Sequence, residues 1–273
     1  MADINYSLEI SSLTNPRIKN VVKLRQRSHR DDLNCMLIEG FREISRALDN
    51  SHPLTEIFFC EELFQGQNNR KLLERCNSIG AKLISCTTPV FRKISYRDRP
   101  DGLLATAPQV KQDLSDLKLK TAPFIVIAEA IEKPGNLGTI LRSSDAAGVD
   151  AVIVCDRCTD INNPNVVRAS VGTIFSVPVV ETSSSEVIQW LRQNNIQAVA
   201  TTPHTDNLYS NVNLTAGVAI VVGTEQYGLS DTWLDAAEIK VRIPMLGQAD
   251  SLNVASATTI LLYEVVRQRT PPK

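Results

Sequence analysis

Phe124-Ile125-Val126-Ile127-Ala128-Glu129-Ala130, followed by Ile131-Glu132-Lys133-Pro134-Gly135-Asn136-Leu137-Gly138-Thr139-Ile140-Leu141-Arg142, decides the fold. The first seven residues are an apolar run broken only by Glu129. Such a run reads as a strand buried on both faces, the situation of a central strand in a parallel sheet. Pro134 and Gly135 make a tight loop, Asn136 is a natural helix N-cap, and a helix is expected over 137–147, stopped at Gly148. Strand, loop and helix recur downstream. Strands are expected at 151–155, 197–201, 218–222 and 240–243. A helix is expected over 183–195, opened by the capping pair Ser183 and Glu186, and a last helix over 252–269, ended by Thr270-Pro271-Pro272. The fold class is α/β, with a mostly parallel sheet carrying helices on both faces.

Upstream the same alternation runs on a smaller scale. Strands are expected at 36–38, 56–60, 82–85 and 103–107, and helices at 41–49, 68–79 (closed by Gly80) and 89–94. The domain organisation that follows is an N-terminal α/β domain over 1–108, a polar linker over 109–120 and a C-terminal domain over 121–273. The net charge of −1 hides an asymmetry: residues 1–120 carry 19 Lys and Arg against 15 Asp and Glu, and the remainder carries 10 against 15. The first part is thus suited to a polyanion. Its most one-sided stretch is 15–30, with Arg17, Lys19, Lys23, Arg25, Arg27 and Arg30 and no acid. Ile18, Val21, Val22 and Leu24 interleave at helical spacing, so the stretch reads as one amphipathic helix. Its charged face is either simply solvated or a set of phosphate contacts.

Several classes are disfavoured. No apolar run approaches the roughly 20 residues of a membrane-spanning helix. The segment 1–10 carries acids rather than a basic apolar leader, and a cytoplasmic location is the expectation. Of six cysteines only Cys155 and Cys158 have CxxC spacing; without a second pair or spaced histidines, no metal is expected, and Cys155 reads as a reduced thiol in a strand. The glycines after 124–130 do not form GxGxxG, which argues against a dinucleotide-dependent dehydrogenase.

In open parallel sheets ligands bind beyond the carboxyl ends of strands. Three segments there carry candidate groups: 136–142 with Asn136 and Arg142, Gly223-Thr224-Glu225-Gln226-Tyr227-Gly228-Leu229-Ser230, and 243–254 with Ile243-Pro244-Met245 and Ser251-Leu252-Asn253-Val254. Singly, each has a plain structural alternative: an Arg paired with an acid, an ordinary turn, a helix cap. Their order and content together resemble the three motifs of SpoU-type RNA 2′-O-ribose methyltransferases, within the SPOUT superfamily. Asn163-Pro164-Asn165-Val166-Val167-Arg168-Ala169-Ser170-Val171-Gly172 is similar to the family's segment between its first two motifs. Leu262-Tyr263-Glu264 with Arg267 and Gln268 extends the resemblance, which covers 121–273. Leu37-Ile38-Glu39-Gly40-Phe41-Arg42-Glu43-Ile44 carries a weaker likeness to the family's ribosomal-protein-like substrate-binding domain.

The resemblance implies S-adenosylmethionine bound in a trefoil knot formed by loops around 201–203, 223–228 and 243–253, largely through backbone groups of Thr201, Thr202, Pro203, Gly223, Glu225, Gly228, Ile243, Met245 and Leu252. It implies a homodimer, and Arg142 as the main catalytic residue, supported by Asn136, Glu225, Ser251 and Asn253. A guanidinium is a poor proton acceptor at neutral pH, so Arg142 is better suited to fix a phosphate and stabilise charge developing on a ribose 2′-oxygen. No metal is needed, because a sulfonium is already a good leaving group. Arg17, Lys19, Lys23, Arg25, Arg27, Arg30, Arg97 and Arg168, with Arg92, Lys93 and Arg99 nearby, are the expected RNA contacts. Ribosomal RNA is the favoured substrate; transfer RNA and a catalytically silent RNA-binding role are the alternatives.

Overall fold

The computed structural model describes residues 6–156 and 159–270, so Cys158 and the Pro271-Pro272 terminator lie outside the described residues. The chain divides into two compact units. The first runs to Val110 and also takes in Asp160–Ser176; the second comprises Lys111–Thr159 and the chain from Val177 onward. The stretch similar to the family's inter-motif segment therefore groups with the N-terminal unit, although strands of the second unit's sheet precede and follow it.

In chain order the first unit contains β1 (Leu8–Ile10), α1 (Pro16–Lys23), α2 (Arg27–Leu33), β2 (Cys35–Glu39), α3 (Phe41–Asp49), β3 (Glu56–Phe59), α4 (Asn69–Ser78), β4 (Lys82–Cys86), α5 (Thr88–Ile94) and β5 (Leu103–Pro108). Its sheet has the order β1-β4-β3-β5-β2, with β5 antiparallel to both neighbours and the other pairs parallel. Ile18, Val21, Leu24, Phe58, Phe91 and Ile94 are among its buried core.

The second unit contributes β6 (Phe124–Glu129), α6 (Pro134–Ala147) and β7 (Ala151–Cys155); the intervening helix α7 (Pro164–Ala169) belongs to the first unit. Then follow β8 (Val179–Thr182), α8 (Ser184–Gln193), β9 (Gln197–Thr201), β10 (Val218–Val222), α9 (Asp231–Ala236), β11 (Ile239–Val241) and α10 (Val254–Arg269). The six strands are ordered β11-β9-β10-β6-β7-β8, every pair parallel. Every residue of β6, β7 and β10 is buried, as their continuous apolar composition requires. Cys155 is a free thiol buried at the end of β7, in a strand as expected, and burial pushes its pKa up.

Three local expectations need correction. The stretch 15–30 is two helices, because Gln26 is extended (φ −85°, ψ 133°). The break has a physical cause in Arg30, which is 1% exposed. Its Nη1 donates to the carbonyls of Leu24 (2.7 Å) and Arg25 (2.9 Å), which a continuous helix would have kept for its own ladder. Its Nη2 and Nε donate to Asp160 Oδ2 at 2.5 and 3.2 Å. Arg30 is thus a buried structural arginine, and the expectation that it contacts RNA does not hold. Second, α6 starts at Pro134, not at 137; proline is pre-set for the first helical position, so Asn136 lies inside the first turn and is not the cap. Third, α10 begins at Val254 rather than 252, with Asn253 as its side-chain cap on the Ala255 amide at 3.0 Å. The capping box of Ser183 and Glu186 and the stop of α6 at left-handed Gly148 are as read from sequence.

Removing Asp160 leaves the Arg30 charge buried without a counter-ion. Asp160→Ala is expected to lower unfolding free energy by about 3–5 kcal/mol, measured by denaturant titration. A loss below about 1 kcal/mol would show that the pair is not a structural tie.

Candidate active site

The chain lays down β6, β7 and β8 outward in one direction and places β9, β10 and β11 on the other side of β6. The strand order therefore reverses between β6 and β10, and the crevice outside their carboxyl ends is where such a sheet binds ligands. The loops leaving those ends meet there. Glu225, from the loop after β10, accepts from Asn136 Nδ2 at 2.8 Å and from Asn253 Nδ2 at 2.5 Å, and it pairs with Lys133 Nζ. Asn253 Nδ2 also lies 3.2 Å from Asn136 Oδ1. One carboxylate thus joins the loop after β10, the start of α6 and the cap of α10. A second carboxylate, Glu129 at the end of β6, is buried and accepts from the Ser230 amide at 2.9 Å and its hydroxyl at 2.5 Å, fixing the far end of the same loop.

The loop after β10 folds tightly on itself. Thr224 and Gly228 exchange backbone hydrogen bonds of 2.9 and 3.1 Å. A Cβ on Gly223 would sit 2.2 Å from the Gly228 carbonyl oxygen, so only glycine permits this closure. Hydrogen bonds from Lys133 first, then Asn136 and Asn253, hold the Glu225 carboxyl below its ordinary pKa, with residual desolvation opposing them. The same pair raises Lys133.

Asn136, Glu225 and Asn253 are therefore brought together as a unit. Lys133 belongs with them and was missed; its signal is a basic residue directly ahead of Pro134-Gly135 at the start of a helix. Arg142 and Ser251 do not join the cluster. Both are exposed and make no hydrogen bond or ion pair among the described residues. Arg142 follows Asn136 by six residues, which places the two about 120° apart around α6.

The other expected loops leave neighbouring strands. Thr201 ends β9, and its Oγ1 donates to the Val221 carbonyl at 3.0 Å; the Thr202 amide donates to Val241 at 3.0 Å. Pro203, Gly228 and Leu252 are exposed, and Ile243 and Met245 half-buried. The loops after β9, β10 and β11 thus leave one edge of the sheet and carry apolar side chains beside backbone amides; Glu225 is the acid among the expected residues on them. Leu246 between them is 96% exposed. No group of three or more metal-ligating side chains exists among the described residues.

In the first unit most expected RNA contacts already have partners. Arg17 pairs with Glu56 and Arg27 with Asp31 at 3.5 Å. Arg25 donates to the Lys93 and Ser95 carbonyls at 2.9 and 2.8 Å and lies over the Tyr96 ring. Arg97 donates to Glu43 Oε1 and the Glu39 carbonyl, both at 2.7 Å. Lys19, Lys23, Arg92, Arg99 and Arg168 are exposed and without such partners among the described residues. No helix of the described residues is long and apolar enough to cross a membrane.

The Glu225 carboxyl should titrate by NMR below the ordinary value of about 4.3. Its bonds stabilise the fold fully above that ordinary value and are lost as pH falls through the lowered one. Lys133→Ala should move the titration back up; an unmoved curve would show that the lysine contact is absent in solution. Gly223→Ala should open the turn, and hydrogen exchange at the Thr224 and Gly228 amides should become fast; retained protection would contradict the close approach.

A family model described as the SpoU rRNA Methylase family matches residues 123–263, and one described as an MRM3-like substrate binding domain matches residues 15–105. The 23S rRNA (uridine(2479)-2′-O)-methyltransferase of Streptomyces viridochromogenes is 30% identical over 90% of this chain and 87% of its own. A crystal structure of an RNA 2′-O ribose methyltransferase superposes with a TM-score of 0.83 at 44% identity, covering 96% of this chain and 99% of that one. The AdoMet-bound rRNA methyltransferase of Sinorhizobium meliloti gives 0.89 at 30% identity, covering 97% and 99%. With Asn136, Glu225 and Asn253 meeting at the switch point of an all-parallel sheet, and with these likenesses, the chain belongs to the SpoU rRNA methylase family.

Proposed function

We propose that this protein transfers the methyl group of S-adenosylmethionine to a ribose 2′-oxygen of RNA, with 23S ribosomal RNA as the substrate class. The observation that carries this is the convergence of Lys133, Asn136 and Asn253 on Glu225 at the strand-order reversal, inside the stretch that the methylase family model matches. Two of the similar proteins named above are rRNA methyltransferases by name, one of them bound to AdoMet, and the match to a substrate-binding model over 15–105 supplies the second half of such an enzyme.

Bound S-adenosylmethionine supplies a methyl group activated on a sulfonium. The rest is done by the chain. The loops at 201–203, 223–228 and 243–253, threaded as the family's trefoil knot, offer backbone groups and the apolar Ile243, Met245 and Leu252 to hold it. Glu225 clamps the third of these loops, through Asn253, to α6. As the 2′-oxygen takes the methyl carbon, the carbon–sulfur bond would break to leave a neutral thioether, the hydroxyl proton would pass to solvent water, and negative charge would build on the oxygen on the way. Arg142, exposed and without a protein partner among the described residues, is available to fix the adjoining phosphate and stabilise that charge. Ser251, exposed just ahead of the Asn253 cap, is available to the same substrate. The 2′-oxygen as acceptor makes the enzyme specific for RNA over DNA. Lys19, Lys23, Arg92, Arg99 and Arg168 are the cations open to RNA phosphates, in a cytoplasmic enzyme that works as a homodimer. Exposed Tyr227, Leu246 and Tyr263 supply the apolar area a second copy would cover.

Incubation with methyl-labelled S-adenosylmethionine and unmodified ribosomal and transfer RNA tests the substrate class: label is expected in 23S RNA. Label in transfer RNA would change the substrate and keep the chemistry, and no label with no cofactor binding would refute the proposal. Arg142→Ala should lower kcat about 10²–10³-fold with cofactor affinity unchanged. Arg142→Lys at near-normal turnover would rule out two-pronged phosphate recognition.

A further inference from the structure

The first unit contains a cavity of about 660 Å³ that the methyl-transfer site does not use. Its walls come from the first turn of α3 (Phe41, Arg42, Glu43), the segment 65–69, Arg97, Asp101, and Arg168 with Val171 beyond α7. None of the cofactor loops lines it. The volume lies within the roughly 300–1,000 Å³ usual for small-ligand sites.

The base of the cavity is built from one guanidinium set between two carboxylates. Arg97 Nη2 donates to Glu43 Oε1 and to the Glu39 carbonyl, both at 2.7 Å, and its Nη1 lies 3.8 Å from Asp101 Oδ2. Asp101 Oδ2 in turn accepts the Phe41 amide at 2.9 Å. Gly40, at φ +114°, makes this possible, because a Cβ there would lie 2.3 Å from Arg97 Nη2 and 2.4 Å from Glu43 Oε2. The mouth is different. Arg42 and Arg168 are exposed and have no acidic partner among the described residues, and Gln65, Gln67 and Asn68 present exposed amides. Phe41 contributes a half-buried aromatic ring.

These groups select a ligand class. Two free guanidinium groups call for an anion, and both are arginines, the side chain best shaped for phosphate. An anion alone would leave the ring and the amides unused. A flat heterocycle stacks on an aromatic ring, and side-chain amides both donate to and accept from base edges.

We propose that this cavity takes up one unpaired nucleotide of the substrate RNA, other than the methylated one, stacking its base on Phe41 and holding its phosphate with Arg42 and Arg168. This rests on the reading that the substrate is RNA. It gives the enzyme a way to recognise a loop or bulge by a nucleotide turned out of the stack.

The test uses the full-length protein and a 23S RNA transcript carrying 4-thiouridine. Ultraviolet cross-linking should place RNA on the peptide that contains Phe41. The exposed pair Arg42→Gln and Arg168→Gln together should raise KM for RNA about tenfold, leave kcat and cofactor affinity unchanged, and reduce the log–log salt slope of binding by roughly 0.7, the value of one single-strand phosphate. Cross-links only to peptides outside the cavity, with an unchanged KM in the double variant, would overturn the proposal. A cross-link at Phe41 from a protein that methylates no RNA would support the cavity while refuting the catalytic reading. Methylation with wild-type KM in the double variant would do the reverse.

Discussion

Glu225 receives hydrogen bonds from side chains on two other stretches of chain, the start of α6 and the cap of α10, and the carboxyl end of the second sheet depends on that meeting of three segments. Lys133 and Asn136 arrive at the start of α6 because Pro134 begins the helix early; Asn253 arrives because it caps α10. Asn253 does both tasks with one amide group, its oxygen accepting the Ala255 amide while its nitrogen donates to Glu225. The carboxylate is acceptor-only, so its partners must all be donors, which accounts for two asparagines and a lysine around it. At the far end of the same loop, Glu129 holds Ser230 by both amide and hydroxyl. The loop is pinned at both sides while its tip stays exposed, as a surface that admits a ligand must.

Much of this was legible in the sequence because the periods are strong. The run 124–130 could only be a buried strand, and parallel pairing on both sides follows from its lack of a polar face. Gly148 and the Ser183–Glu186 box announce helix ends through backbone chemistry that is local. What could not be read depends on distant partners. Asn136 looks like a cap because asparagine usually is one; only Pro134, two residues earlier, takes that role away. Arg30 looks like one cation in a basic row, and nothing within the row shows that Asp160, 130 residues later, will bury it. Short elements such as β1 and α9, of three and six residues, carry too little pattern to be seen at all.

The basic N-terminal half is similarly two-layered. Counted along the sequence, its arginines form one positive stretch; in the fold, several are consumed by carbonyls and carboxylates of their own unit. Arg25 fastens the turn after α5, and Arg97 ties β2 to α3. Net charge therefore overstates the cation supply available to RNA and misplaces it. The guanidinium groups left open, Arg42, Arg92, Arg99 and Arg168, lie on short loops and helix ends rather than along one helix face.

The chemical nature of the product tests the central claim most directly. RNA methylated by the protein with labelled S-adenosylmethionine should be hydrolysed to completion in alkali and the fragments separated by charge. A 2′-O-methyl group removes the nucleophile that alkali uses to cleave the neighbouring linkage, so label is expected in an alkali-resistant dinucleotide. Label released as a mononucleotide would place the methyl group on a base and contradict the assignment of this site to ribose chemistry.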